Sequence, residues 1–406
     1  MRRHLACLWL LVGLVLPSQA EDWPQFLGPN SNGISREKGL ISRFPENGPT
    51  IVWRKKIGIG YSAPVVAGQR VVVFYRRGDS NVVECLDARR GESFWKFSYE
   101  TDYSDAYGKG DGPRSTPTIA ADKVYTLSAE GILHCLGLRD GTKIWQRHLL
   151  RDYQVPRNFF GVGTSPIVEG NLLLINVGGK GAGIVAFDKN TGKEVWKVTD
   201  DGASYASPVA ATIDGQRHVF FFTRRGLVSI APQTGKVRFS KYWRPRINAS
   251  VNAANPVVAG DLVFVSTSYD TGALVVKVSR SGADEVWKGD GILTNHYNTS
   301  IHHDGYLYGI DGRQERGARL RCIELKTGKV QWTKEGFGCG SIIFADDKLI
   351  ILTEQGELVL VEATPKAYRE LARAQVLSPT RSQIALANGL LYARDDEKIL
   401  CIQMTK

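Results

Sequence analysis

The 406 residues are 43% hydrophobic and 23% charged, a balance that excludes a disordered chain and supplies a sizeable core. The formal charge of +11 is dispersed, with no Lys/Arg block and no basic-aromatic stripe, so nucleic acid is not an expected partner.

At the N-terminus, Arg2-Arg3-His4 precedes an apolar run from Leu5 to Leu16 and a small-x-small site at Ser18-Gln19-Ala20, the pattern of a signal peptide over residues 1–20. The run is about 12 residues where a span needs roughly 20, and no later segment is long enough. An exported protein starting at Glu21, periplasmic or extracellular and without a transmembrane anchor, is therefore expected. Cys7, behind His4-Leu5-Ala6, makes no convincing lipoprotein box. Without the leader the charge falls to +9.

Residues 21–49 read as an arm, with Trp23 to Asn30 expected to lie across the body. Ile51-Val52-Trp53-Arg54-Lys55 follows as a strand with no strands before it. From there a phrase recurs: Cys85-Leu-Asp-Ala-Arg-Arg-Gly-Glu-Ser-Phe-Trp95, Cys135 to Trp145, Ala186 to Trp196, Ser229 to Phe239, a one-residue-longer copy ending at Trp287, and Cys322 to Trp332. Spacings of about 40–50 residues between the closing aromatics suit four-stranded propeller blades and carry no helical period. Each unit opens near a pair such as Thr116-Pro117, Ser165-Pro166 or Ser207-Pro208, turns at a Gly or Asp, and repeats a β-branched strand. In Asp188 to Trp196, Thr191-Gly192 supplies a positive-φ turn position and the aspartate caps the turn.

The seventh unit decays into Leu360-Val361-Glu362-Ala363 without the Thr-Gly turn. An eighth, from Gln383 through Leu390 to Met404, stops after three strands. The expected fold is therefore all-β: an eight-bladed propeller of four-stranded antiparallel blades over residues 50–406, its last blade closed by the N-terminal strand. Trp53, Trp95, Trp145, Trp196, Phe239, Trp287 and Trp332 are read as aromatics that dock one blade on the next. Cys85, Cys135, Cys322 and Cys401 share one repeat position, too far apart between blades for disulfides, and read as core.

The pattern Ala186-x-Asp188-x-x-Thr191-Gly192-Lys193-x-x-Trp196 resembles the repeat of the pyrroloquinoline quinone (PQQ) propellers, which include quinoprotein dehydrogenases and non-catalytic envelope proteins such as BamB. Trp23-Pro24-Gln25-Phe26-Leu27-Gly28-Pro29-Asn30 and Gly202-Ala203-Ser204-Tyr205-Ala206-Ser207-Pro208 are similar to an exported, BamB-like branch. The catalytic members generally hold the quinone over a tryptophan with a divalent cation and use an aspartate base, and many pair adjacent cysteines. This chain has neither an adjacent cysteine pair nor a Cys-x-x-Cys-His haem segment. The resemblance thus implies a non-catalytic binding or interaction scaffold of the cell envelope, a monomer without a cofactor, whose partner is an envelope protein or a polymeric or small polar ligand. The alternative it leaves open is a quinoprotein oxidoreductase acting on an alcohol or sugar with PQQ and a divalent cation.

A propeller displays its ligand surface on the loops that enter each innermost strand. The longest are 99–114, with Tyr103, Asp105, Tyr107, Asp111 and Arg114; 147–164, with Arg157, Asn158, Phe159 and Phe160; 244–255, with Arg246, Asn248, Asn252 and Asn255; and 293–300, with Asn295, His296, Tyr297 and Asn298. With Tyr205, the candidate binding residues are Arg114, Arg157, Asn158, Phe159, Arg246, Asn248, Asn252, His296 and Asn298. Arginine pairs with carboxylates, asparagine bonds hydroxyls and tyrosine stacks, a mixture that fits a polar planar ligand or a carbohydrate. No residue is assigned a catalytic or metal role: strand alternation sends His302 and His303 to opposite faces, and Gly178-Gly179-Lys180-Gly181-Ala182-Gly183 reads as a β-turn.

Overall fold

The computed structural model describes residues 21–108, 110–156, 160–248 and 250–405. The expected leader at residues 1–20 lies outside them. Among the described residues the chain forms eight four-stranded antiparallel sheets, each taking its strands in sequence order from the axis outward. The last sheet is the exception: Ala385–Ala387, Leu390–Arg394 and Lys398–Gln403 are completed by Ile51–Lys56, with Trp53 opposite Cys401. The ring closes through a strand borrowed from the far end of the chain.

Blades are numbered from Val65–Glu100 as the first to this shared sheet as the eighth. The outermost strand of every described blade carries one extra residue just before the docking position: Val52, Phe94, Ile144, Val195, Arg238, Val286, Gln331 and Leu371. Such a bulge sharpens the local twist and interrupts the edge that would otherwise template pairing with another chain. The next residue then turns toward the neighbouring blade. Trp145, in the second blade, donates its indole N–H to the carbonyl of Lys189 in the third (3.1 Å), and its ring covers Gly192, where a Cβ would approach within 2.7 Å. Trp53, Trp95 and Trp196 repeat this on Gly91, Gly141 and Gly235, and Trp287 does so more loosely on Gly328. Trp332 donates to Thr364, and Phe239 packs on Phe220. The turn under Trp145 is held by Asp188, whose carboxylate accepts the amides of Asn190 and Thr191 at 3.0 and 2.8 Å. The copy ending at Trp287 is two residues longer than its siblings, not one: Trp287 pairs with Val275, and the hairpin turns at Arg280-Ser281.

The small polar residues that open the units stitch the inner ring together from blade 1 to blade 6. The backbone N–H of Ala63 donates to the Thr116 hydroxyl, that of Thr116 to Ser165, that of Ser165 to Ser207, that of Ser207 to the Asn255 amide oxygen, and that of Asn255 to Thr299, all within 2.7–3.1 Å. A proline follows in most units because it fixes φ where the strand begins. All five described cysteines are reduced and buried. Cys135, Cys322 and Cys401 each lie opposite a tyrosine on the second strand and a tryptophan on the fourth.

Residues 21–49 cross the face opposite the strand entrances. Trp23 exchanges backbone hydrogen bonds with Val66 of blade 1, Pro24 accepts from Ile119 of blade 2, Gly33 and Ser35 bracket Phe344 of blade 7, and Ile41 donates to Met404 beyond blade 8. Among the described residues no helix is long and apolar enough to cross a membrane.

Candidate functional site

Each innermost strand starts at the same end of the axis, so eight entrance segments converge there whatever their length. They enclose a cavity of about 260 Å³. Its wall takes Tyr61 from the segment into blade 1, Arg114 from blade 2, Phe160 and Ser165 from blade 3, Tyr205 and Ser207 from blade 4, His296 to Asn298 from blade 6, Ser341 from blade 7, and Arg381 and Gln383 from blade 8. Tyr269, Gln314 and Glu315 lean in from turns on the same face. Phe26 alone comes from the arm on the opposite face, so its ring closes the cavity from below.

Both wall arginines are already committed. Arg114 meets the buried carboxylate of Asp105 at 2.6 Å and also donates to the carbonyls of Gly110 and Gly112. Arg381 meets Glu354 at 2.8 Å, and Glu354 also accepts from the Tyr297 hydroxyl. His296 is bracketed by Tyr269 Oη at 3.0 Å and Gln314 Oε1 at 3.2 Å, and burial pushes its imidazole below the usual histidine range. With one neighbour an acceptor, the ring is held neutral with its hydrogen bonds spent. Burial raises the phenols of Tyr205 and Tyr297 far above the usual value, so they stay protonated donors.

Three groups in the wall are not committed: Asn298 Oδ1, Ser341 Oγ and Gln383 Oε1 are buried with no hydrogen-bond partner. A buried polar atom left unpaired costs about 1–3 kcal/mol, which a ligand hydrogen bond or ordered water offsets.

Of the candidate residues, Arg114, Tyr205, His296 and Asn298 meet in this cavity. Arg157, Asn158 and Phe159 lie outside the described residues. Arg246 and Asn248 sit exposed on the outer part of their loop. Asn252 is a brace: its side chain donates to Thr223 and Trp243 carbonyls, and its own carbonyl accepts the amides of Tyr205 and Ala206. His303 stacks on Phe344 at 4.1 Å, apart from the cavity wall, and Gly178 to Gly183 form a hairpin turn between two strands. Tyr61, Tyr269, Arg381, Gln383 and Phe26 were not singled out by loop length; the start position of an inner strand was the signal for Gln383.

The geometry defines a closed propeller ring with a floored, aromatic-walled cavity at its strand entrances. The family model described as "Outer membrane protein assembly factor BamB" matches residues 78–334, more than half the chain, and the chain belongs to that family. It is 24% identical over 307 residues to the outer membrane protein assembly factor BamB of Burkholderia pseudomallei, covering 72% of this chain and 73% of that one. Among solved structures, BamB from Moraxella catarrhalis superposes with a TM-score of 0.62 at 13% identity, covering 87% of this chain and 97% of the other. The quinohemoprotein alcohol dehydrogenase of Comamonas testosteroni gives 0.70 at 13% identity, over 94% and 80%. These structural likenesses speak for the fold alone.

The described residues do not fit the quinone that such dehydrogenases carry. A planar tricarboxylate needs uncompensated cations, whereas Arg114 and Arg381 are each neutralised by their own carboxylate and Glu315 adds a further negative charge. The wall aromatics are tyrosine and phenylalanine, with no tryptophan among them. No three His, Cys, Asp or Glu side chains converge as a metal donor set among the described residues.

Proposed function

We propose that this chain is an exported, non-catalytic propeller of the cell envelope that holds an uncharged, hydroxyl-bearing group in the cavity at its strand entrances. The observation that carries this is the set of three unpartnered oxygens of Asn298, Ser341 and Gln383 beneath aromatic walls. Amide and hydroxyl oxygens take hydrogen bonds from hydroxyls, and tyrosine faces cover the apolar side of a sugar-like ring. The volume falls just below the roughly 300–1,000 Å³ of pockets for drug-sized ligands, so it suits one ring or one chain end. The family's name, an outer-membrane assembly factor, supports the envelope setting.

The test is calorimetric titration of the mature chain with envelope-derived saccharides, with Asn298→Ala and Gln383→Ala alongside. Binding that weakens about tenfold in each variant, the loss of roughly one good hydrogen bond, supports the reading. One-to-one binding of PQQ in calcium buffer with dye-linked alcohol or sugar oxidation would overturn it.

A further inference from the structure

A second recess lies away from the axis. Between the first and second blades, on the same face, the structure opens a groove of about 950 Å³ walled by Asp79, Glu100, Asp102 and Glu130, with His148 and Arg151 at its far side. Of these four carboxylates Asp79 is paired with Arg76 at 3.7 Å, so three carboxylates face one guanidinium, itself held by Asp152 at 3.2 Å. The His148 ring accepts the Arg151 backbone N–H. In a chain whose net charge is strongly positive, this is a local reversal of sign.

The wall also contains a buried carboxylate with one oxygen unpaired. Glu130 is only 6% exposed. Asn81 of the first blade donates to its Oε1 at 3.0 Å, but its Oε2 is buried with nothing to bond. Glu84 differs: its otherwise unpaired oxygen lies 3.3 and 3.5 Å from Lys55 and Lys96. A buried carboxylate ordinarily finds such a counter-charge. Glu130 has none among the described residues, and the last torsion of a glutamate is soft enough to turn that oxygen to the groove.

We propose that the groove between the first and second blades is a binding site for an organic cation, a primary ammonium of the lysine or polyamine kind, with Glu130 as its buried counter-ion and Asp102 and Glu100 at the mouth. An ammonium is favoured over a metal ion because, among the described residues, no three carboxylate or imidazole groups converge there at ligating distance. An ammonium needs only acceptors around it and offers three donors. The site is independent of the central cavity, so either can fail alone.

The mature chain is titrated calorimetrically with tetralysine and, separately, with spermidine, at 20 and 200 mM salt. Binding that weakens at higher salt and falls at least tenfold in Glu130→Gln supports the site. Preference for tetralysine identifies a basic segment of a protein partner, and preference for spermidine a free polyamine. Asp102→Asn, at the more open mouth, is expected to lose about threefold and guards against a folding defect in the first variant. Absence of binding by both probes at millimolar concentration, or undiminished binding in a folded Glu130→Gln protein, overturns the proposal.

Discussion

At the scale of single residues, the repeat's glycines divide by what lies above them. Gly192 and Gly181 both sit at positive φ, 68° and 64°, where any side chain is strained. Beyond that shared strain, a Cβ on Gly192 would strike the Trp145 ring at 2.7 Å, whereas one on Gly181 meets nothing within 4 Å. Gly181→Ala is expected to cost about 1 kcal/mol and Gly192→Ala about 2–4 kcal/mol, since the second also displaces a docked indole. Denaturant titration of the two variants checks this, and equal losses would mean that the turn needs glycine for its backbone alone. His134 gives the pH counterpart. It is buried against Phe97 and Tyr99, and burial lowers its pKa to about 4. The unfolded chain takes up that proton near pH 6.5 and the folded one near 4. The neutral ring's stability is therefore complete above pH 6.5 and is lost as pH falls through the window to 4, on the order of 3 kcal/mol. His134→Gln should flatten the stability-versus-pH curve in that window; an unchanged slope would assign the acid sensitivity to other groups.

At the scale of elements, the outermost strand combines two neighbouring residues with opposite duties. Phe94 is the bulged residue and stands 44% exposed, while Trp95 beside it is buried and hydrogen-bonded to the next blade. Both are large aromatics, and no composition argument separates them. Trp95→Ala is expected to lower stability by about 3–5 kcal/mol and Phe94→Ala by under about 0.5 kcal/mol, which thermal and denaturant melts of the pair will check. The sequence made the aromatic and the Thr-Gly turn legible because they recur at fixed distance, and blade number followed from counting them. The bulge was not legible, since an extra residue shows only against its partner strand, and for the same reason the Trp287 copy was misjudged by one residue. The candidate site was half legible. Arg114, His296 and Asn298 stand on the long entrance loops and Tyr205 in the Gly202 to Pro208 segment, yet Arg381 and Gln383 enter from the segment into blade 8, which loop length did not mark. Ring geometry brings every inner-strand start to the axis, so loop length is the wrong measure of what reaches it. Phe26 was hidden for a different reason: an arm's path across a ring leaves no periodic trace.

At the scale of the whole molecule, the decisive contact is between the two ends of the chain. A stack of repeats held only by neighbours would frustrate its last blade, because a three-stranded sheet at one end and a lone strand at the other both present open edges. Pairing Ile51–Lys56 with Lys398–Gln403 removes both at once and places Trp53 over Gly91. Buried Arg394 strengthens the same seam, donating to the carbonyls of Gly58 and Phe74 from blade 8 into the start of the ring. Closure over nearly the full chain length carries little extra loop entropy per added residue, so the seam's hydrogen bonds and packing keep most of their value. Replacing residues 51–56 by a Gly-Ser segment of equal length keeps the arm and removes the strand. The expected outcome is an open ring: Lys398–Gln403 becomes an exposed edge, size-exclusion chromatography shows oligomers, and hydrogen exchange quickens first in blades 8 and 1. If that variant instead stays monomeric with uniform protection, the ring is held by its blade-to-blade docking and the shared blade is a convenience of topology.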